Sequence, residues 1–108
     1  MNDIANTPTP PYYTVIFTST RKDGDHGYSK TAQEMEALAK QQPGYLGFEA
    51  ARDGLGIAVS YWKDLESIQN WKQNMDHLQA QNNGRKLWYS AYTVRIGKVE
   101  KQYTFKSE

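Results

Sequence analysis

Residues 41–92, QQPGYLGFEAARDGLGIAVSYWKDLESIQNWKQNMDHLQAQNNGRKLWYSAY, decide the fold. Pro43-Gly44 stops a helix, because the residue before proline is pushed out of the helical region and proline has no amide hydrogen. Residues 45–52 and 57–62 then read as two strands. They are joined by Asp53-Gly54-Leu55-Gly56, whose Asp-Gly pair is a strong hairpin signal. Asp64 is suited to cap a second helix, since its carboxylate accepts from first-turn amides that have no partner inside the helix. Leu65, Ile68, Trp71, Met75 and Leu78 follow at spacings of three and four, which predicts a buried stripe. Asn83-Gly84 predicts that helix's end. A last strand over about 88–99 carries Tyr89, Ala91, Thr93 and Arg95 on one face and Tyr92, Val94 and Ile96 on the other, with Gly97 at a bulge or bend.

Upstream, residues 12–20 alternate. Tyr13, Val15 and Phe17 take one face, and Tyr12, Thr14, Ile16 and Thr18 take the other. Residues 21–27, RKDGDHG, form a turn-rich loop, and a helix opening at Gly27 or Ser29 gathers Tyr28, Ala32, Met35, Leu38 and Ala39 on one side. The order β-α-β-β-α-β is the ferredoxin-like split unit, an α+β fold whose four-stranded antiparallel sheet carries two helices on one face. Its other face stays open and apolar, so a second copy is expected to cover it as a homodimer. Tyr13, Phe17, Tyr61 and Tyr92 are candidates for that face, with the parity left open. Residues 1–11, rich in Asn, Thr and Pro, are expected to be a flexible arm before a domain at 12–108, and Tyr103 to Phe105 a tail able to pair with a partner.

The 108 residues suit one domain. Thirteen basic against 12 acidic residues, mixed in sign along the chain, argue against a nucleic-acid or anionic-membrane surface. Without cysteine there is no disulfide, thiolate nucleophile, Cys-bound zinc or iron–sulfur cluster, and two histidines make a His-rich metal site remote. No apolar run reaches the roughly 20 residues of a membrane span, and the N-terminus lacks a secretory pattern. A cytoplasmic protein is expected. Eight Tyr and 3 Trp in a chain only 38% hydrophobic imply buried rings with polar tips, suited to a wet pocket or a subunit interface.

Several side chains are candidates for a site. Trp62 ends the third strand, where it lines a pocket or fills the core. Trp71 packs helix on sheet or walls a pocket. His77 shares an uncharged polar stripe with Asn70, Gln73, Asn74 and Gln81, either a solvated helix face or a pocket border with His77 as general base. Arg95, a charge in mid-strand, stabilises an anion or pairs across a dimer, for example with Glu49. Tyr61, Tyr89 and Tyr92 close a sheet face or hydrogen-bond a phenolic ligand. His26, between acidic neighbours, reads as surface, and Arg85 as a charge near the helix end.

From residue 12 to 105 the sequence resembles the antibiotic biosynthesis monooxygenase family of small dimeric α+β barrel proteins. The likeness rests on strand 13–18, on Gln42-Pro43-Gly44-Tyr45-Leu46-Gly47, on Ser60-Tyr61-Trp62, on Trp71 with His77 and Ala80-Gln81, and on Gly84-Arg85 with Trp88-Tyr89 and Tyr92. It implies oxygenation of an electron-rich aromatic metabolite, with O2 as co-substrate and no cofactor. His77 and Arg95 would then be catalytic, and Ser60, Tyr61, Trp62, Trp71, Tyr89 and Tyr92 substrate-binding. Gly54 and Gly56 lie in a hairpin turn and form no dinucleotide fingerprint. Heme-degrading members use an Asn on the first strand and a His ten residues after the helical Trp. Here Thr18 or Thr20 and Gln81 stand in those places, so heme ligation would need His77 from a shifted position. Quinone-forming members carry an Asn about where Ser60 stands. The alternative on the same scaffold is a noncatalytic ligand-binding or stress-related dimer.

Overall fold

The computed structural model describes residues 3–81 and 84–107. The elements run β1 (Tyr12–Arg21), α1 (Tyr28–Lys40), β2 (Tyr45–Asp53), β3 (Leu55–Trp62), α2 (Leu65–Gln81), α3 (Gly84–Leu87) and β4 (Tyr89–Val99). The strands form one antiparallel sheet in the order β2-β3-β1-β4. This is the expected ferredoxin-like arrangement, with α1 and α2 on one face.

Local chemistry sets the element ends. Gly27 precedes α1 in a left-handed conformation (φ 85°), and the Asp25 carboxylate accepts from the Ser29 amide and hydroxyl. The Ser29 hydroxyl bond is the largest of the effects that hold the Asp25 carboxyl below its usual value. The β2–β3 hairpin is tighter than expected. Asp53 pairs with Leu55 across Gly54 alone, which takes φ 79°. Asp64 does cap α2, accepting at 2.8 Å from the Ser67 amide and at 2.7 Å from its hydroxyl, which lowers its pKa.

The core joins Val15, Ala39, Trp62, Ile68 and Trp71, with Tyr13, Met35, Leu38, Tyr45, Met75 and Val94 packed around it. Leu65 departs from the expected stripe and is 51% exposed. At about 100° per residue, it stands roughly 100° from the direction shared by Ile68, Trp71 and Met75, and Ser67 is buried instead. The helix-ending role given to Asn83-Gly84 is corrected in part. Residue 83 lies outside the described residues, and Gly84 opens α3 instead of closing a helix. A side chain at position 84 would strike the Trp88 ring, whose Cε3 would lie 2.8 Å from an added Cβ.

Register decides which residues face the helices. Tyr13, Val15, Phe17 and Ser19 of β1 lie opposite Trp62, Ser60, Ala58 and Gly56 of β3, and the stacking of Trp62 on Trp71 marks this as the inner face. Of the four aromatics proposed for the outer face, only Tyr61 lies there, with its ring against Tyr12. On β4 the expected parity fails at one point. Thr20 pairs with Ala91 but Arg21 with Tyr89, so Ser90 is an extra residue. This bulge returns Tyr89 to the same face as Tyr92, and both rings pack on Phe17, at 5.4 and 5.0 Å.

The arm crosses one end of the outer face. The Ala5 amide donates to Glu49 Oε2 at 2.8 Å, and Gly47 leaves the room that Ala5 and Thr7 occupy. Thr7 and Tyr12 both bond Gln102 Oε1, and the Gln102 amide donates to the Pro8 carbonyl at 3.0 Å. Leu55 and Ile57, elsewhere on that face, remain exposed, as do Tyr103 and Phe105 of the tail.

Candidate functional site

The helices do not close fully onto the sheet. Small side chains on the inner face, Ala50, Ala58 and Gly56, meet Phe17, Met35, Trp71 and Met75 across a cavity of about 410 Å³. That is within the usual range of small-molecule sites. α1 contributes Tyr28, Ala32, Gln33 and Glu36 to its wall, and α2 presents Trp71, Met75 and Gln79, spaced four apart and so on one side of the helix.

The deep end is built around Ser60. Its hydroxyl accepts the Trp62 indole N–H at 2.8 Å, and Trp62, fully buried, stacks on Trp71 at 5.8 Å. Trp62 therefore supports the wall from behind and does not line the cavity. At the other end Tyr28, Trp88 and Tyr89 form an aromatic corner, with Tyr28 about 5.8 and 5.9 Å from the other two rings. The Trp88 indole is tied to the His26 carbonyl at 2.9 Å. Burial first, and then the neighbouring Tyr28, push the Tyr89 phenol well above its usual pKa. It stays protonated at neutral pH and can donate a hydrogen bond. Arg52, on the inner face of β2, donates to the buried Ser19 hydroxyl at 2.6 Å.

Of the residues expected from sequence, Ser60, Trp71 and Tyr89 line the cavity. Tyr92 stands behind Phe17 and accepts from Arg85 Nε at 2.7 Å. Tyr61 lies on the opposite face of the sheet, where its hydroxyl donates to Glu49 at 2.7 Å; burial and that contact raise its pKa. His77 is exposed and does not bound the cavity. On α2 it stands roughly 180° from Ile68. Arg95, paired with Ile16, is exposed on the outer face. Glu49, its suggested partner, is engaged within its own chain by Ala5 and Tyr61.

Sequence reading missed Ser19, Tyr28, Arg52 and Gln79. Gln79 continues the Trp71–Met75 stripe by one further step of four, and Arg52 shares a face with Phe48 and Ala50, so both positions were accessible from periodicity. Their polarity had set them aside. Among the described residues no group of three or more His, Cys, Asp or Glu side chains is placed to hold a metal. None of their helices is long and apolar enough to cross a membrane.

Comparison with known proteins agrees with this architecture. The chain is 46% identical over 107 residues to an uncharacterised Bacillus subtilis protein, YqjZ, with 97% of this chain and 94% of that protein covered. Among solved structures it is similar to SnoaB, a cofactor-independent oxygenase from Streptomyces nogalater (TM-score 0.65, 15% identity, 91% of this chain and 100% of that one). It is also similar to a Pseudomonas aeruginosa protein (TM-score 0.64, 18% identity, 89% and 99%). At those identities the structural matches speak for the fold. The profile of antibiotic biosynthesis monooxygenases matches residues 11–83, most of the folded domain. With that match and the Bacillus relative, this chain belongs to the antibiotic biosynthesis monooxygenase family.

Proposed function

We propose that the protein is a homodimeric, cofactor-independent oxygenase that binds a small aromatic metabolite between sheet and helices. The observation that carries this reading is the cavity of about 410 Å³, walled by Phe17, Tyr28, Trp71, Trp88 and Tyr89 and open to ligand. Family membership and the likeness to SnoaB support the reaction class. An activated methylene flanked by aromatic rings ionises to a carbanion that can give one electron to O2. Recombination and loss of water leave a carbonyl: one oxygen atom enters the substrate, the other departs as water, and the methylene carbon supplies the electrons. The protonated Tyr89 phenol and the Ser60 hydroxyl would donate to substrate oxygen as negative charge develops, and Trp71 would stack on the ring.

His77 and Arg95 take no part in this assignment, since neither bounds the cavity, and a heme held by His77 gains no support. The outer face, with Leu55 and Ile57 exposed beside Val59 and Ile16, is the surface a second copy would cover. A monomer mass by sedimentation at micromolar concentration would remove the dimer from the proposal. The cytoplasm remains the proposed compartment.

One feature favours the noncatalytic reading. Among the described residues the cavity wall carries one carboxylate, Glu36, and no histidine, and Lys40 lies 3.3 Å from that carboxylate. Oxygen uptake with an anthrone separates the two. Ala58 lies on the cavity floor between Phe17 and Ala50, and Ala58→Phe fills it. If the protein is an oxygenase, uptake falls at least about ten-fold in this variant. Saturable quenching of tryptophan fluorescence without uptake would establish a binder, and neither signal would reject the cavity as a site.

A further inference from the structure

The cavity's outer end contains hydrogen-bonding groups that the protein does not use. Gln79 is 5% exposed and lines the cavity, yet its side-chain amide makes no hydrogen bond among the described residues. No buried side-chain nitrogen or oxygen among the described residues lacks a partner, so the Gln79 amide is reached from the cavity and is free to bond a ligand atom there. It lies at the aromatic corner: its Cβ would be 3.4 Å from a Cβ added at Gly84, which packs on Trp88, and Trp88 meets Tyr28 edge to face.

At that same corner Arg52 has no carboxylate within 4 Å among the described residues. Its Nη1 reaches the Ser19 and Gly54 carbonyls at 3.3 Å and its Nη2 the Ser19 hydroxyl, while Nε makes no hydrogen bond among the described residues. The guanidinium lies flat on β3 because position 56 is glycine; a Cβ there would be 2.2 Å from Arg52 Cζ. Arg21, 3.5 Å above the Tyr28 ring, adds a second positive charge nearby. The Ser19 hydroxyl, 2% exposed, accepts from Arg52 and keeps its own proton to donate.

We propose that this corner is an oxyanion subsite, where Arg52 and Ser19 hold a carboxylate or phenolate on the ligand's ring and Gln79 reads a neighbouring hydroxyl or carbonyl. The ligand is then an anionic aromatic compound whose apolar end reaches Trp71 and whose charged end lies at Arg52. This inference rests on the cavity being the ligand site. Charge at the partly open end suits its chemistry, since an anion there keeps some hydration, and the guanidinium edge matches a carboxylate.

Tryptophan quenching by hydroxynaphthoate, its methyl ester and naphthoate tests the assignment. The acid should bind at least about ten-fold more tightly than the ester, as expected for a charge-assisted bond. Arg52→Gln should abolish that preference while leaving ester binding within about two-fold. Gly56→Val, which displaces the guanidinium without removing it, should also abolish the preference for acid over ester, whatever it does to the binding of both through the cavity wall. Gln79→Leu should remove the preference for hydroxynaphthoate over naphthoate. Equal binding of acid and ester, unaffected by Arg52→Gln but lost in Ala58→Phe, would keep the cavity as a site and overturn the oxyanion subsite. Failure of all three probes to bind would overturn the subsite together with the cavity reading.

Discussion

Trp62→Ala is expected to destabilise the protein by about 3–5 kcal/mol, the usual penalty for truncating a buried large aromatic residue. Trp62 has no exposed surface, stacks on Trp71, meets the Tyr45 ring edge to face, and donates to Ser60. Small domains are stable by only about 5–15 kcal/mol, so the variant should be close to unfolding at moderate temperature. Urea denaturation measures the loss, as a lower midpoint at unchanged slope. Trp62→Phe keeps most of the ring surface and loses the bond to Ser60, worth about 0.5–1.5 kcal/mol. If both variants lost under about 1 kcal/mol, Trp62 would not be the keystone of the core described above.

The second large effect belongs to Gly44→Ala. Gly44 has φ 84°, and a Cβ there would lie 2.1 Å from Ser67 Oγ and 2.7 Å from Ser67 Cβ. The left-handed backbone costs a residue with a side chain about 1–2 kcal/mol, and overpacking adds about 1–3 kcal/mol. Ser67 cannot withdraw freely, because its amide and hydroxyl are both bound to Asp64 at the start of α2. Strain at the α1–β2 turn therefore reaches the cap of the next helix. Made in a Ser67→Gly background, Gly44→Ala should cost only the backbone part, because the clash is gone and the lost bond to Asp64 is common to both proteins compared. An equal cost of Gly44→Ala with and without Ser67→Gly would place the whole effect in the backbone.

The fold was legible because its signals are local. Pro43-Gly44, the Asp53-Gly54 turn and the Asp64 cap each work through a few adjacent residues, and all three are found in place. The site was legible only in part because it depends on long-range register. Ser60 and Trp71 emerged from their positions on β3 and α2. The placing of Tyr89 did not, since a bulge at Ser90 breaks the period of two that sequence reading assumes. Residue type also misled. His77 drew attention as a possible base, yet helical rotation turns it away from the sheet, while Gln79 and Arg52 were passed over although their spacing placed them on the inner face.

The bulge also bears on how such a pocket can diversify. Because Ser90 is one residue more than β1 can pair, the bulge keeps Tyr89 opposite Arg21. If the strand paired regularly with Ser90 retained, Ser90 would take that place and Tyr89 would cross the sheet, whereas removing Ser90 would leave Tyr89 where it is. Loss of the bulge with Ser90 kept would therefore replace the aromatic corner in one step, an outcome that several substitutions together would be needed to imitate. Relatives with differing ligand preferences are then best compared by whether β4 carries this bulge as well as by the side chains that wall the cavity.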